Sequence, residues 1–222
     1  MITYGGKDWE GAVFDLDGTI LDSMGVWEIV DRRFLENNGL PFEKDYIQDL
    51  LTMHFAQAAE YTKKRYAMEK SEAQIMEEWF AIAKGMYAGE VELKPHAAEY
   101  LAALSERGVK IAAATSSDPL LYEPALKRNG VYDYFQAFAL SSETEHGKET
   151  AEVYELAAKR IRVPLEKCIV FEDILKGVQN ARAAGCYTVA VEDASSSHDA
   201  EKIRREADIY ICDYLQLKEI EQ

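Results

Sequence analysis

Cysteine is scarce in this chain: three residues in 222, at positions 168, 186 and 212, odd in number, widely spaced and set in apolar runs. That excludes a disulfide framework or a cysteine zinc site, and all three read as small core residues. Proline (5) and glycine (13) are too few for a collagen-like or disordered chain. No stretch approaches the roughly 18 to 20 unbroken apolar residues of a membrane span, so no membrane partner is expected. Residues 1–10 lack the basic-then-apolar order of a signal peptide, which makes the cytoplasm the expected location. Positive charge is also in deficit, with 25 Lys and Arg against 40 Asp and Glu and a net charge of −15. A field of that sign repels polyanions, so no nucleic acid is expected as a partner. What remains, 48% hydrophobic and 29% charged residues, suits a folded chain with one large domain, or one domain plus a smaller one.

Several short apolar runs end in polar residues able to do chemistry: Gly11 to Phe14 before Asp15, Val109 to Ala114 before Thr115, and Cys168 to Phe171 before Glu172. Runs of similar length at Ala137 to Leu140, Thr188 to Val191 and Ile209 to Cys212 read as further buried strands, with helical segments between most of them. One helix is expected from Pro95 through Tyr100, Leu101 and Leu104 to a stop at Gly108, and another after Ser117-Asp118-Pro119. The alternation predicts an α/β fold with a doubly wound parallel sheet. Residues 23–93 break it. Trp27, Val30 and Phe34 follow a helical step, and Ile75, Trp79, Ile82 and Met86 form one stripe while Met76, Phe80, Ala83 and Tyr87 form another. A helix apolar on two faces must be covered on both, which predicts a small helical bundle inserted as a cap at 23–93 in a core of 1–22 and 94–222.

In parallel sheets ligands sit beyond the carboxyl ends of the strands, where Asp15, Asp17, Thr115, Glu172 and Asp173 are expected. Carboxylates gathered there repel unless a cation neutralises them, and hard oxygen ligands without histidine favour magnesium. Such a cation reverses the local sign and opens the site to a small phosphorylated metabolite despite the net charge. Asp15 and Asp17 cannot point the same way on an extended chain, so Gly18 is expected to help it turn. Lys148 follows Gly147 at the start of a helical segment through Val153, Leu156 and Ala157. A lysine at a helix start, with the Thr115 hydroxyl and the backbone amides after it, suits a phosphate.

Asp15-Leu16-Asp17-Gly18-Thr19-Ile20, Thr115 ending a strand, Lys148, and Phe171-Glu172-Asp173 with Gly177 behind it resemble the four ordered motifs of the haloacid dehalogenase superfamily. The helical insert after the first motif resembles the cap of its β-phosphoglucomutase and sugar-phosphatase branch. The resemblance implies a phosphoaspartate mechanism with Asp15 as nucleophile and Asp17 as general acid and then base. It further implies magnesium held by Asp15, the Asp17 backbone carbonyl, Asp173 and the extra acid Glu172. Thr115 and Lys148 would bind the nonbridging oxygens, with Ser116 contributing its amide.

The expectation is a magnesium-dependent phosphatase of a small phosphorylated metabolite such as a sugar or polyol phosphate, acting as a monomer or weak dimer. The alternative is a β-phosphoglucomutase-like phosphomutase. Trp27 stands where the mutase pattern has a histidine, and the cap loop reads Leu51-Thr52-Met53-His54-Phe55 where a glycine is usual. Trp27 and His54 are therefore the candidate substrate contacts. After Lys148, Glu149-Thr150-Ala151-Glu152 replaces the usual Pro-x-Pro-Asp continuation.

Overall fold

The computed structural model describes residues 1–50, 53 and 55–220. Its first elements are a hairpin that the strand pattern did not predict, β1 (Ile2–Tyr4) against β2 (Lys7–Trp9). The signal was there: Gly5-Gly6 sits between them with φ of 58° and 71°, the positive pair a two-residue hairpin turn needs. The six expected apolar runs then form one parallel sheet: β3 (Gly11–Phe14), β4 (Lys110–Thr115), β5 (Ala137–Leu140), β6 (Cys168–Glu172), β7 (Tyr187–Val191) and β8 (Ile209–Ile211), in the order β5-β4-β3-β6-β7-β8. β3 lies at the centre, paired with β4 through Phe14↔Ala113 and with β6 through Phe14↔Phe171.

Helices alternate with these strands. α1 (Val26–Asn37), α2 (Lys44–Leu50), α3 (Phe55–Arg65) and α4 (Glu72–Gly89) follow β3; α5 (Ala97–Glu106), α6 (Pro119–Arg128), α7 (Glu152–Arg160), α8 (Leu175–Ala183), α9 (Ala200–Glu206) and α10 (Leu215–Ile220) complete the chain. α5 starts two residues later than expected, because His96 at φ 59° breaks the helical path after Pro95. α6 begins as expected, with the Asp118 carboxylate accepting the Leu120 amide at 2.8 Å.

The two faces of the sheet are packed differently, as the two-residue period of a strand dictates. On one, Val13, Ala112, Ala114, Ala139 and Val170 meet Val153, Tyr154, Ala157 and Ala158 of α7, and the small alanines let that helix lie close. On the other, Phe14 stacks on Phe171 at 4.1 Å between ring centroids, with Tyr100 and Tyr214 against Phe171. Complete burial of each phenylalanine contributes about 1.5 to 3 kcal/mol. Cys168 and Cys186 lie in the core as expected, but Cys212 is exposed. β8 stops at Ile211, and Cys212 sits in the exit loop with its amide on Gln216 Oε1 at 2.8 Å.

Contacts divide the chain into two compact units, one of residues 1–24 and 91–222, the other of Gly25–Glu90. Within the first, the departing and returning chains pair with each other: the Asp22 amide donates to Glu92 O and the Lys94 amide to Ile20 O, each at 2.9 Å. Lys94 is also held by an ion pair to Asp193 at 2.8 Å.

Among its described residues, the regular structure of the second unit is helical, α1 to α4. α4 opens with a reciprocal cap between Ser71 and Gln74 and buries Ile75, Trp79, Ala83, Met86 and Tyr87, with Met76, Phe80 and Ile82 half-buried, so both of its apolar stripes are covered. Val30 and Phe34 of α1 are buried, the Phe34 ring edge-on to Trp79, while Trp27 is 37% exposed. Arg65 of α3 ties α2 in place through Asp45 at 2.9 Å and Asp49 at 3.3 Å.

Asp31 of α1 carries a carboxyl that burial pushes up to about 7, against a hydrogen bond from Tyr46 that favours its ionised form. The fold therefore prefers the protonated acid. As pH rises from the ordinary value near 4 to about 7, the unfolded chain releases this proton first and stability falls, then levels off. Asp31→Asn removes this penalty: thermal denaturation should show a higher Tm than wild type at pH 8 and little difference at pH 4. Equal differences at both pH values would contradict it.

Candidate active site

The site is built at the carboxyl ends of β3, β4 and β6. The chain leaves β3 at Asp15, whose amide still reaches Phe171 O at 2.9 Å, then closes a tight loop in which the Ile20 and Leu21 amides both donate to Leu16 O, at 2.9 and 2.8 Å. Gly18 makes that loop possible. Its φ is 82°, and a β-carbon there would collide with the Asp173 carboxylate. The loop turns Asp15 into the sheet mouth, while Ser23 Oγ donates to Asp17 Oδ1 at 2.5 Å and, alongside burial, the Asp17 charge contributes to raising the Asp15 carboxyl.

Asp15, Glu172 and Asp173 converge, each buried, with one oxygen of each inside a 4.8 Å radius of the others. Lys148 lies among them, its Nζ 2.5 Å from Asp15 Oδ1 and 2.8 Å from Glu172 Oε1. Burial pushes the Asp15 carboxyl up to about 7, with Lys148 opposing and Glu172 adding to the rise. Burial, then Asp15 and Glu172, hold Asp173 well above the usual carboxylate range. Burial alone would lower the Lys148 ammonium, but Asp15 and Glu172 hold it above its ordinary value. The site thus gathers three acids around Lys148, and burial resists the simultaneous ionisation of Asp15 and Asp173.

Donors from the surrounding fold fix one oxygen of each β6-end carboxylate. Glu172 Oε1 accepts from Lys148 and from the Tyr154 hydroxyl at 2.7 Å, and Asp173 Oδ1 accepts from Thr19 Oγ1 at 3.2 Å. Tyr214 in turn donates to the Thr19 carbonyl at 3.1 Å. The other oxygens, Glu172 Oε2 and Asp173 Oδ2, are buried with no hydrogen-bond partner. A buried, unpaired carboxylate oxygen costs several kcal/mol, and two such oxygens on members of one three-acid cluster suit the oxygen donor set of a hard divalent cation. These residues therefore fit a cation of the magnesium type.

Thr115, 1% exposed, ends β4 and accepts the Ser117 amide at 3.0 Å, which leaves its own hydroxyl hydrogen available. Ser116 is exposed and takes a hydrogen bond from Ser141 Oγ at 2.8 Å. Lys148 is not at a helix start. It lies in a separate 3₁₀ turn, Gly147–Glu149, ahead of α7, anchored by Asn180 Nδ2 on its carbonyl at 2.8 Å, so its charge and not a helix dipole acts in the site. The Asp17 carboxylate lies outside the three-acid cluster found among the described residues. Trp27 belongs to the helical unit, edge-on to Phe55 at 5.5 Å, and His54 lies outside the described residues. Ser23, Tyr154, Tyr214 and Asn180 were missed as site residues. Tyr154 sits in the apolar stripe of α7 and reads as core, and Thr19 was visible only as part of its motif.

The sequence model of the haloacid dehalogenase-like hydrolases matches residues 9–185. The chain belongs to that family, and it is an enzyme of the family's phosphatase branch. Similar curated proteins include a phosphorylated carbohydrates phosphatase of Thermotoga maritima, 26% identical over 79% of this chain and 82% of the relative. A fructose-1-phosphate phosphatase of Escherichia coli is 30% identical over 82% of this chain and 96% of its own, and hexitol phosphatase A of the same organism is 31% identical over 82% of each. Among solved structures, a putative β-phosphoglucomutase of Thermotoga maritima superposes with a TM-score of 0.82 at 23% identity, covering 91% of this chain and 94% of that one, a likeness of fold.

Gly177, in the first turn of α8, lies flat against the Glu172 carboxylate: a β-carbon would stand 2.5 Å from Glu172 Cδ. Helix propensity favours alanine over glycine by about 0.8 to 1 kcal/mol, but overpacking costs about 1 to 3 kcal/mol. Gly177→Ala should therefore lower the urea midpoint, and a stabilised variant would mean that the carboxylate is free to move aside.

Proposed function

We propose that this enzyme is a magnesium-dependent phosphatase that hydrolyses a small phosphorylated metabolite, a sugar or polyol phosphate, through a phosphoaspartate intermediate. The observation that carries the reading is the convergence of Asp15, Glu172 and Asp173 around two unpartnered buried carboxylate oxygens, with Lys148 against Asp15. The substrate class rests on relatives named for phosphorylated carbohydrates, fructose 1-phosphate and hexitol phosphates.

Asp15 attacks phosphorus, and the bond to the leaving oxygen breaks as Asp17 donates a proton to it. Asp17 then takes a proton from water, whose oxygen attacks the phosphoaspartate, releasing phosphate and restoring Asp15. Two carboxylates are needed because one is covalently occupied when the other must act as base. Ser23 donates to Asp17, which is not one of the three clustered acids, in keeping with a group that must exchange protons. Lys148 and the Thr115 hydroxyl bind the nonbridging oxygens, with the Ser116 amide beside them. A magnesium ion held by Asp15, the Asp17 carbonyl, Glu172 and Asp173 would screen the nucleophile from the phosphoryl oxygens. Residues 23–93, with Trp27 and His54, are assigned to substrate selection.

Asp15→Asn keeps the size of the side chain but loses the nucleophile. Assayed with magnesium against a panel of sugar and polyol phosphates, the wild type should turn over and lose activity on chelation, while the variant falls by more than about 10²-fold with an unchanged circular dichroism spectrum. Variant activity within about tenfold of wild type would remove Asp15 from the chemistry.

A general acid matters most for a poor leaving group. Asp17→Asn should slow phosphoaspartate formation far less from an aryl phosphate than from a sugar phosphate, giving a burst and then slow turnover in rapid-quench experiments. Equal slowing of the burst with both substrates would assign Asp17 to the loop or the metal instead.

A further inference from the structure

Tyr154 is a buried residue of α7 with its ring in the apolar cluster that packs the sheet, yet its hydroxyl donates to Glu172 Oε1 at 2.7 Å. That oxygen also takes Lys148 Nζ at 2.8 Å, while Oε2 of the same carboxylate has no partner at all. A carboxylate rotates about its terminal torsion with a broad, nearly two-fold preference, so nothing intrinsic to glutamate decides which oxygen faces where. Two donors on one oxygen decide it.

Lys148 cannot be the one to hold it fast, because the same ammonium stands 2.5 Å from Asp15 and is the group available to an incoming anion. Tyr154 is different: its ring is fixed by packing, it is neutral at pH 7, and its single proton has Glu172 Oε1 as acceptor. Gly177 lies beside the same carboxylate, where a β-carbon would stand 2.6 Å from Oε2 and 2.9 Å from Oε1, so the absence of a side chain there is what admits the group.

We infer that Tyr154 is a positioning residue for cation binding, whose hydroxyl locks Glu172 so that Oε2 stays directed to the ion whether or not Lys148 is engaged elsewhere. The inference rests on the proposed reading of Glu172 as a metal ligand. Hydrogen-bond partners that orient a ligand typically change metal affinity by about 10- to 100-fold when removed.

The test is a titration of the substrate-free protein with Mn²⁺, following the free-ion signal by electron paramagnetic resonance. Tyr154→Phe keeps the ring, and Lys148 still serves Glu172 Oε1, so the fold should survive, as circular dichroism will report. Mn²⁺ binding should weaken by about 10- to 100-fold in Tyr154→Phe, and in a Glu172→Gln background the same substitution should add less than about twofold. Unchanged affinity in Tyr154→Phe, or a loss of equal size in the Glu172→Gln background, overturns the positioning role alone. A wild-type protein that binds no Mn²⁺ overturns both this role and the metal reading beneath it.

Discussion

Mutual repulsion of three buried carboxylates is the constraint on which the rest of the site depends. With ligand atoms within 4.8 Å of one another, each ionised pair costs at least roughly 3 kcal/mol at an effective dielectric near 20. A fold can carry such a cluster only if its backbone does not yield. Asp15, Glu172 and Asp173 accordingly leave the central pair of strands, β3 and β6, where Phe14 and Phe171 are stacked and fully buried immediately before them. Lys148 supplies the positive charge in contact with two of the three, from a turn pinned to α8 through Asn180.

The remaining oxygens are treated asymmetrically. Tyr154 reaches Glu172 from one face of the sheet, and Tyr214 reaches the Thr19 carbonyl, and so the donor to Asp173, from the opposite side. Both tyrosines contribute apolar rings to the packing and a single polar atom to the site, which lets core packing and site geometry be set by the same side chains. The small residues Gly18 and Gly177 complete the enclosure: each occupies a place where a β-carbon would strike a carboxylate. The unpaired oxygens are therefore a product of the whole arrangement and not of a loose loop.

The acidic cluster and the helical unit are stabilised by separate sets of contacts in this chain. The family match spans residues 9–185 and contains every element that ends at the acidic cluster. The helical unit has its own stabilisation: the Ser71–Gln74 cap, the Phe34–Trp79 contact and the Arg65 ion pairs all lie within Gly25–Glu90. Its core can hold while exposed positions such as Trp27 and Phe55 change.

The six strands of the sheet were legible as short apolar runs because parallel strands buried on both faces leave no polar positions to blur the pattern. The chemistry at their ends was legible as well, since Asp15, Thr115, Glu172 and Asp173 each follow or close such a run, and strand order in the chain is enough to expect them at one edge. Less was legible where local sequence has several structural outcomes. Lys148 was expected at a helix start, yet the chain forms a 3₁₀ turn first, because Glu152 accepts the Glu145 and His146 amides and begins the helix after them. Cys212 was expected in the core, but the strand ends one residue earlier. Tyr154, Tyr214 and Ser23 carry no local mark of function: a tyrosine in an apolar stripe reads the same whether or not its hydroxyl meets a carboxylate. Residue type and order thus determined the sheet and its acids, while the partners of Glu172 Oε1 and Asp173 Oδ1 were decided only by tertiary structure, because they lie 18 to 154 residues away in sequence and meet those oxygens only in the packed fold.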